Sequence, residues 1–277
     1  MLQKYILFLK RHPLITAAIA IAYAILCIKK VPLETNFQIF LVRTMLCGAM
    51  AFFLYQISGD KTLASAYNST GYVIKVAIGF WVVALATGII SLASMASSGA
   101  KILDHPLQNL IVMFLMYLFV GLFEEMAFRA VINDAIIYAF RDRKYVFVLS
   151  AVVSSTVFGA AHILGFDTTS GLAWAQAIGK TLSAGLFGLA LLFLYWKTRN
   201  IWACGVVHGM YDFFVAFGGA IYDSGETGTH SYVAPDAEAM PVLILYGATT
   251  IITSFILWRV WKKIGKQIDY DSIRANW

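Results

Sequence analysis

Charge is what this chain has least of. Asp, Glu, Lys and Arg make up 13% of its 277 residues, against 60% hydrophobic residues and a mean hydropathy of +0.74. Soluble domains carry about a quarter charged residues, so a water-solvated globular fold is excluded and a polytopic membrane protein is implied. Cysteine is scarce too. Cys27, Cys47 and Cys204 stand singly inside apolar runs with no CxxC spacing, which excludes a disulfide framework and argues against zinc thiolates. There is no HExxH and no GxSxG, so zincin and nucleophile-elbow chemistries lack their motifs. Gly179-Lys180-Thr181 is no phosphate loop, because Trp174 stands where its first glycine belongs. The net charge of +6 implies cytoplasmic loops rather than a nucleic-acid partner.

What is present is a series of long apolar runs. A membrane helix needs about 20 mostly apolar residues, and candidate spans lie at 13–28, 37–57, 71–96, 106–140, 145–165, 172–196, 200–221 and 240–261. An all-α fold of about eight transmembrane helices is expected, with the first run uncleaved because no small-residue cleavage site follows it. Arg43, Lys75 and Lys180 fall inside spans and read as snorkelling or internally paired cations. Placing the N-terminus in the cytoplasm puts fourteen Lys and Arg inside, from Lys4, Lys10, Arg11 and Lys61 through Arg141, Arg143, Lys144, Lys197 and Arg199 to the C-terminal cluster. Lys29, Lys30 and Lys101 remain outside. This bias predicts both termini in the cytoplasm. The acidic 218–240 loop, with Asp223, Glu226, Asp236 and Glu238, is then external. No repeat or linker interrupts residues 1–277, and one membrane domain is expected. Ala175, Gly179 and Ser183, and again Gly205 and Gly209, have the spacing for close helix packing.

Within span four the sequence reads Glu124-Glu125-Met126-Ala127-Phe128-Arg129. Charge at membrane depth is expensive and persists chiefly where it pairs or does chemistry. A helix from 106 to 140 would run about 50 Å, against a hydrocarbon core of about 30 Å. Arg129, Asn133 and Asp134 are therefore expected to emerge at the cytoplasmic interface. Folding the hairpin about residue 143 puts Glu124 and His162 at one depth, each 19 positions from the turn. His208 lies on the order of 12 Å above the start of span seven, which brings it to the same layer.

The local spacings support that layer. Glu125 and Arg129 are i, i+4 with the acid first, the better order for an ion pair. His208 and Asp212 share the spacing, so Asp212 can orient the imidazole. Phe158 and His162 share it too, with Gly159, Ala160 and Ala161 expected to leave room beside the histidine. A glutamate and a histidine at one depth can hold a water and take its proton, and a second histidine can stabilise an oxyanion. Peptide-bond hydrolysis fits this equipment. Two other readings fit the residues as well: a proton relay or ion path, and a zinc site formed by Glu124, His162 and His208. His12, His105 and His230 fall in terminal or loop segments.

The ordered trio Glu124-Glu125-x-x-x-Arg129, Phe158-x-x-x-His162 and His208-x-x-x-Asp212 resembles the CPBP family, the CAAX-type and bacteriocin-processing membrane endopeptidases also called Abi proteins. The likeness covers about residues 107–221, the expected catalytic core. It implies a cavity open to the cytoplasmic side, Glu124 as the base that activates water with His162, and Glu125 and Arg129 in support. It also implies an oxyanion site at His208 and Asp212. Where the CAAX proteases carry asparagine this chain has Asp212, which as a carboxylate cannot donate to an oxyanion and would instead orient His208. The implied activity is endoproteolysis of a membrane-associated, prenylated or leader-type peptide, in a bacterial or archaeal plasma membrane. A metal-free mechanism is favoured, with zinc as the alternative cofactor. A non-proteolytic relative acting in immunity, scaffolding or proton-coupled transport is the competing function.

Overall fold

The computed structural model describes residues 2–30, 35–59, 63–64, 69–163, 169–223 and 233–275. Lys61, Glu226 and His230, used above for loop assignment, lie outside these residues, as does the end of the expected fifth span. No strand occurs among the described residues, where one isolated antiparallel bridge pairs Ile102 with Tyr222. The fold is all-α and polytopic. Six helices are long and apolar enough to cross a bilayer, among them the Pro106–Phe140 span with the limits expected from sequence. Two of the eight expected spans are less simple. Val146–Ala161 has 16 residues, and the expected first span, 13–28, is one helix bent by 107° from the helix before it.

That bend has a cause in the sequence. Helix α1 (Leu2–Arg11) precedes α2 (Pro13–Lys30), and Pro13 has no N–H to give to the carbonyl four residues back. The carbonyl of Leu9 instead accepts from His12 N at 3.3 Å and from the buried Thr16 Oγ1 at 2.7 Å. The acceptor that proline leaves is thereby satisfied in the crook of the bend.

The chain forms two compact units, one from residues 1–131 with 198–229, the other from 132–197 with 230–277. In the first, α1 and α2 are followed by α3 (Asn36–Ser58), α4 (Thr70–Ser97), α5 (Pro106–Glu125) and, after residue 198, helix α9 (Ile201–Ala216). A reciprocal capping box between Thr35 and Gln38 starts α3. Helix α5 packs on α9 and α3, and α4 packs on α9. Met113, Met116 and Val120 of α5 form a buried cluster that takes in Phe40 of α3 and Phe213 of α9. Arg43 does not reach for the interface: its guanidinium lies over the Phe123 ring at 5.0 Å, a cation–π arrangement. Lys75 is exposed on α4.

The second unit holds α6 (Asn133–Phe140), α7 (Val146–Ala161), α8 (Gly171–Thr198, which ends at the unit boundary), α10 (Ala239–Ile264) and the short α11 (Tyr270–Ala275). Small residues set its helix contacts. A Cβ added at Gly159 would collide with the Thr181 carbonyl of α8, one at Gly185 would meet the Ser155 carbonyl of α7 at 3.1 Å, and one at Gly179 would meet Tyr246 of α10 at 3.0 Å. Gly159 therefore serves α7–α8 packing and does not open space beside His162, as the sequence suggested. An aromatic cluster of Phe147, Trp196 and Tyr270 joins α7, α8 and α11.

Asn133 and Asp134, expected from helix length to emerge at the membrane surface, are fully buried in protein. Asp134 accepts hydrogen bonds from the Tyr195 hydroxyl at 2.6 Å and from Asn133 Nδ2 at 2.9 Å, and Trp196 Nε1 donates to Asn133 Oδ1 at 3.2 Å. Helix arithmetic gives position along an axis but not what packs around it. Tyr195→Phe removes a donor from a buried carboxylate and is expected to cost about 1–3 kcal/mol, read as a lower unfolding temperature in detergent.

Candidate active site

Between α5 and α6 the chain is wound as a π-helix over Met126–Ile132. Such turns carry i to i+5 hydrogen bonds and occur often at functional sites. The winding begins directly after Glu124 and Glu125, and it carries Arg129.

Glycine brings the partner helix to these residues. Helices α5 and α9 run antiparallel, with Gly209 set against Leu118 and Gly205 against Leu122. A Cβ at Gly209 would lie 2.6 Å from the Tyr117 carbonyl oxygen, one at Gly205 would lie 2.9 Å from Leu122 Cα, and one at Gly121 would strike the Gly209 backbone. The backbones are as close as side-chain-free positions allow. Four residues after Gly121, Glu125 meets His208 of α9. Gly209→Ala should force the helices apart by a few tenths of an ångström or more and stretch that contact. A catalytic group displaced by about 1 Å can cost about 10²-fold in rate, so a comparable fall in turnover is expected, measured beside Gly71→Ala, whose added Cβ meets nothing within 4 Å.

Helix α9 is held from two further directions. Asn200 caps it, its Oδ1 accepting from Ala203 N at 2.9 Å, while its Nδ2 donates to Ser69 and Thr70 at the start of α4. An Asn just ahead of an apolar run is a sequence-readable helix start. Trp81 of α4 donates from Nε1 to the Val207 carbonyl at 2.9 Å, one residue before His208, and its ring meets Phe214 edge-on. Nothing in the sequence marked Trp81.

Glu125, Arg129 and His208 form a buried chain. Arg129 Nε lies 3.2 Å from Glu125 Oε2, and Glu125 Oε1 accepts from His208 Nδ1 at 2.8 Å. The side chains of Glu125, Arg129 and His208 are 0%, 1% and 3% exposed. An ionised carboxylate is acceptor-only, so Nδ1 carries a proton and the other ring nitrogen faces outward. Around that Nε2 stand Asp212 Oδ2 at 3.5 Å and Glu124 Oε2 at 3.8 Å. These two carboxylates are 26% and 17% exposed, so the reachable side of the cluster is the side that Nε2 faces.

The structure thus brings together Glu124, Glu125, Arg129, His208 and Asp212, all in the first unit. Phe158 and His162 belong to the second. There His162 Nδ1 lies 2.9 Å from the Phe158 carbonyl, and the two rings meet edge-on at 4.8 Å. The Glu125–Arg129 pair forms as its spacing predicted. Glu125 holds Nδ1 of His208, while Asp212, one turn along, lies toward Nε2.

Among the described residues no group of three or more His, Cys, Asp and Glu side chains is arranged to hold a metal ion. The zinc set considered from sequence, Glu124, His162 and His208, takes donors from both units. The cluster in the first unit can accept a proton at Glu124, present a hydrogen-bond donor at Nε2, and hold the ring through Glu125.

Residues 106–214 match the family model described as type II CAAX prenyl endopeptidase, Rce1-like. The stretch begins with α5 and ends two residues after Asp212, and it bears out the resemblance drawn from the three motifs. Comparisons with curated proteins and with solved structures gave no match. Over those residues the chain is similar to that endopeptidase family.

Proposed function

We propose, from the likeness of residues 106–214 to the Rce1-like type II CAAX prenyl endopeptidase family, that this protein hydrolyses an internal peptide bond of a membrane-associated substrate at Glu124 and His208. Residues 107–221 are its catalytic core, with a cavity opening toward the cytoplasm. The observation that carries this reading is the pairing of a partly exposed Glu124 carboxylate with His208 Nε2 at 3.8 Å. That separation is too long for a direct hydrogen bond, and a polar gap of this size is one a water or a substrate oxygen can bridge.

In the reaction, Glu124 takes a proton from water and the resulting hydroxide attacks the scissile carbonyl carbon. The carbonyl oxygen becomes an oxyanion, which His208 stabilises by donating from Nε2. This role requires the doubly protonated ring. The tetrahedral intermediate collapses with cleavage of the C–N bond, and Glu124 returns its proton to the leaving amine. Asp212 orients the Nε2 side of His208, and Glu125 with Arg129 fixes the Nδ1 side.

The substrate is a peptide or protein, prenylated at its C-terminus or carrying a leader segment. The test uses the full chain in liposomes with two synthetic peptides, one farnesylated at a C-terminal cysteine motif and one leader-type, with products read by mass spectrometry. A new amine and a new carboxylate at one internal bond are expected, with Glu124→Gln as the background control. Equal product from wild type and control would overturn the proposal.

A further inference from the structure

Helix α1 has a chemistry that the catalytic cluster does not use. Its ten residues include Lys4, Lys10 and Arg11, and the chain carries no acidic residue before Glu34. Leu9 is fully buried, while the aromatic side chains of Tyr5 and Phe8 are exposed at 49% and 42%. Lys10 is steadied by lying 5.5 Å over the Tyr55 ring of α3. The turn of 107° between α1 and α2 is fixed by Pro13 and by the Thr16–Leu9 hydrogen bond. If α2 crosses the bilayer, α1 is thereby laid close to the membrane plane. A helix in that plane with aromatic side chains on one flank and cations on another is built for the boundary between acyl chains and headgroups.

We propose that α1 is an interfacial helix that recruits anionic lipid, with Lys4, Lys10 and Arg11 meeting the phosphate headgroups and Tyr5 and Phe8 seated below them. Charge complementarity names the occupant: a polybasic segment beside a span attracts the anionic headgroups of the leaflet it faces. The surface stands independently of the proteolytic reading, because it uses no residue of that site.

The test reconstitutes the full chain in nanodiscs of phosphatidylcholine mixed with phosphatidylglycerol, and measures by mass spectrometry the lipid retained after detergent exchange. Wild type is expected to retain phosphatidylglycerol above its bulk share. The Lys4→Gln/Lys10→Gln/Arg11→Gln variant should lose that enrichment, by about fivefold per cation at low salt. A second measurement fixes depth. In a background with Cys27, Cys47 and Cys204 replaced by Ser, a fluorophore on Tyr5→Cys should be quenched by brominated lipid and spared by iodide. Unchanged phosphatidylglycerol retention in the triple variant would overturn the proposal. So would quenching by iodide, which means water, or shielding from both quenchers, which means a protein partner or a second copy.

Discussion

The Glu124→Gln variant is expected to insert and fold like the wild type and to lose peptide cleavage by about 10²–10⁴-fold, the usual contribution of a positioned general base. The substitution is close to isosteric and keeps a hydrogen-bonding amide beside His208, but it removes the group that accepts the proton from water. Folding should survive because Glu125 keeps its buried contacts with Arg129 and with His208 Nδ1, and the Glu124 side chain is 17% exposed. The measurement is single-turnover cleavage with protein matched by monodispersity and unfolding temperature. A variant that keeps wild-type turnover would remove Glu124 from the reaction.

Arg129→Met should act in the opposite way, through stability first. Arg129 is among the largest fully buried side chains in the described protein, and its partner Glu125 has no exposure at all. Breaking such a pair from one side leaves a buried charge uncompensated, at a cost of about 3–5 kcal/mol. The expected result is a marked fall in unfolding temperature and poor yield, with activity lost in proportion to folded protein or beyond it. Arg129→Lys should recover part of the stability, since it restores the charge without the planar guanidinium. Glu125→Gln/Arg129→Met, which removes both charges, should be less harmed than Arg129→Met alone. If the double variant were as unstable as the single one, packing of the arginine stem would outweigh the ion pair.

The contrast between these two neighbours was partly legible in the sequence. Glu125 and Arg129 lie one turn apart, so their pairing follows from helix geometry. The limits of the Pro106–Phe140 span followed from apolarity. Equal depth of Glu124 and His208 followed from counting rise, and the two do meet. The count could not say which ring nitrogen faces which acid, because that depends on how α5 and α9 are rotated about their own axes. Gly121, Gly205 and Gly209 set that rotation through backbone contacts, and these are visible once both helices are in place. The π-helical turn at Met126–Ile132 had no proline or glycine to announce it. The burial of Asn133 and Asp134 was illegible for a related reason. Their partners Tyr195 and Trp196 lie more than sixty residues further along, and a buried polar residue reads like an interfacial one until its partner is known. Pro13 marked a helix start, but the hydroxyl of Thr16 that completes the bend gave no separate sign.

The contact between Glu125 and His208 also bears on how this protein could be inhibited. With Nδ1 engaged inside the fold, the singly protonated form of His208 offers an incoming electrophile a single nucleophilic atom, Nε2, and the doubly protonated form used in the reaction offers none. An ethoxycarbonyl-transferring reagent of the diethyl pyrocarbonate type would modify that position of the ring and leave the other untouched. An affinity label would have to enter between the carboxylates of Glu124 and Asp212. Anionic warheads would be repelled there, and neutral or cationic ones admitted.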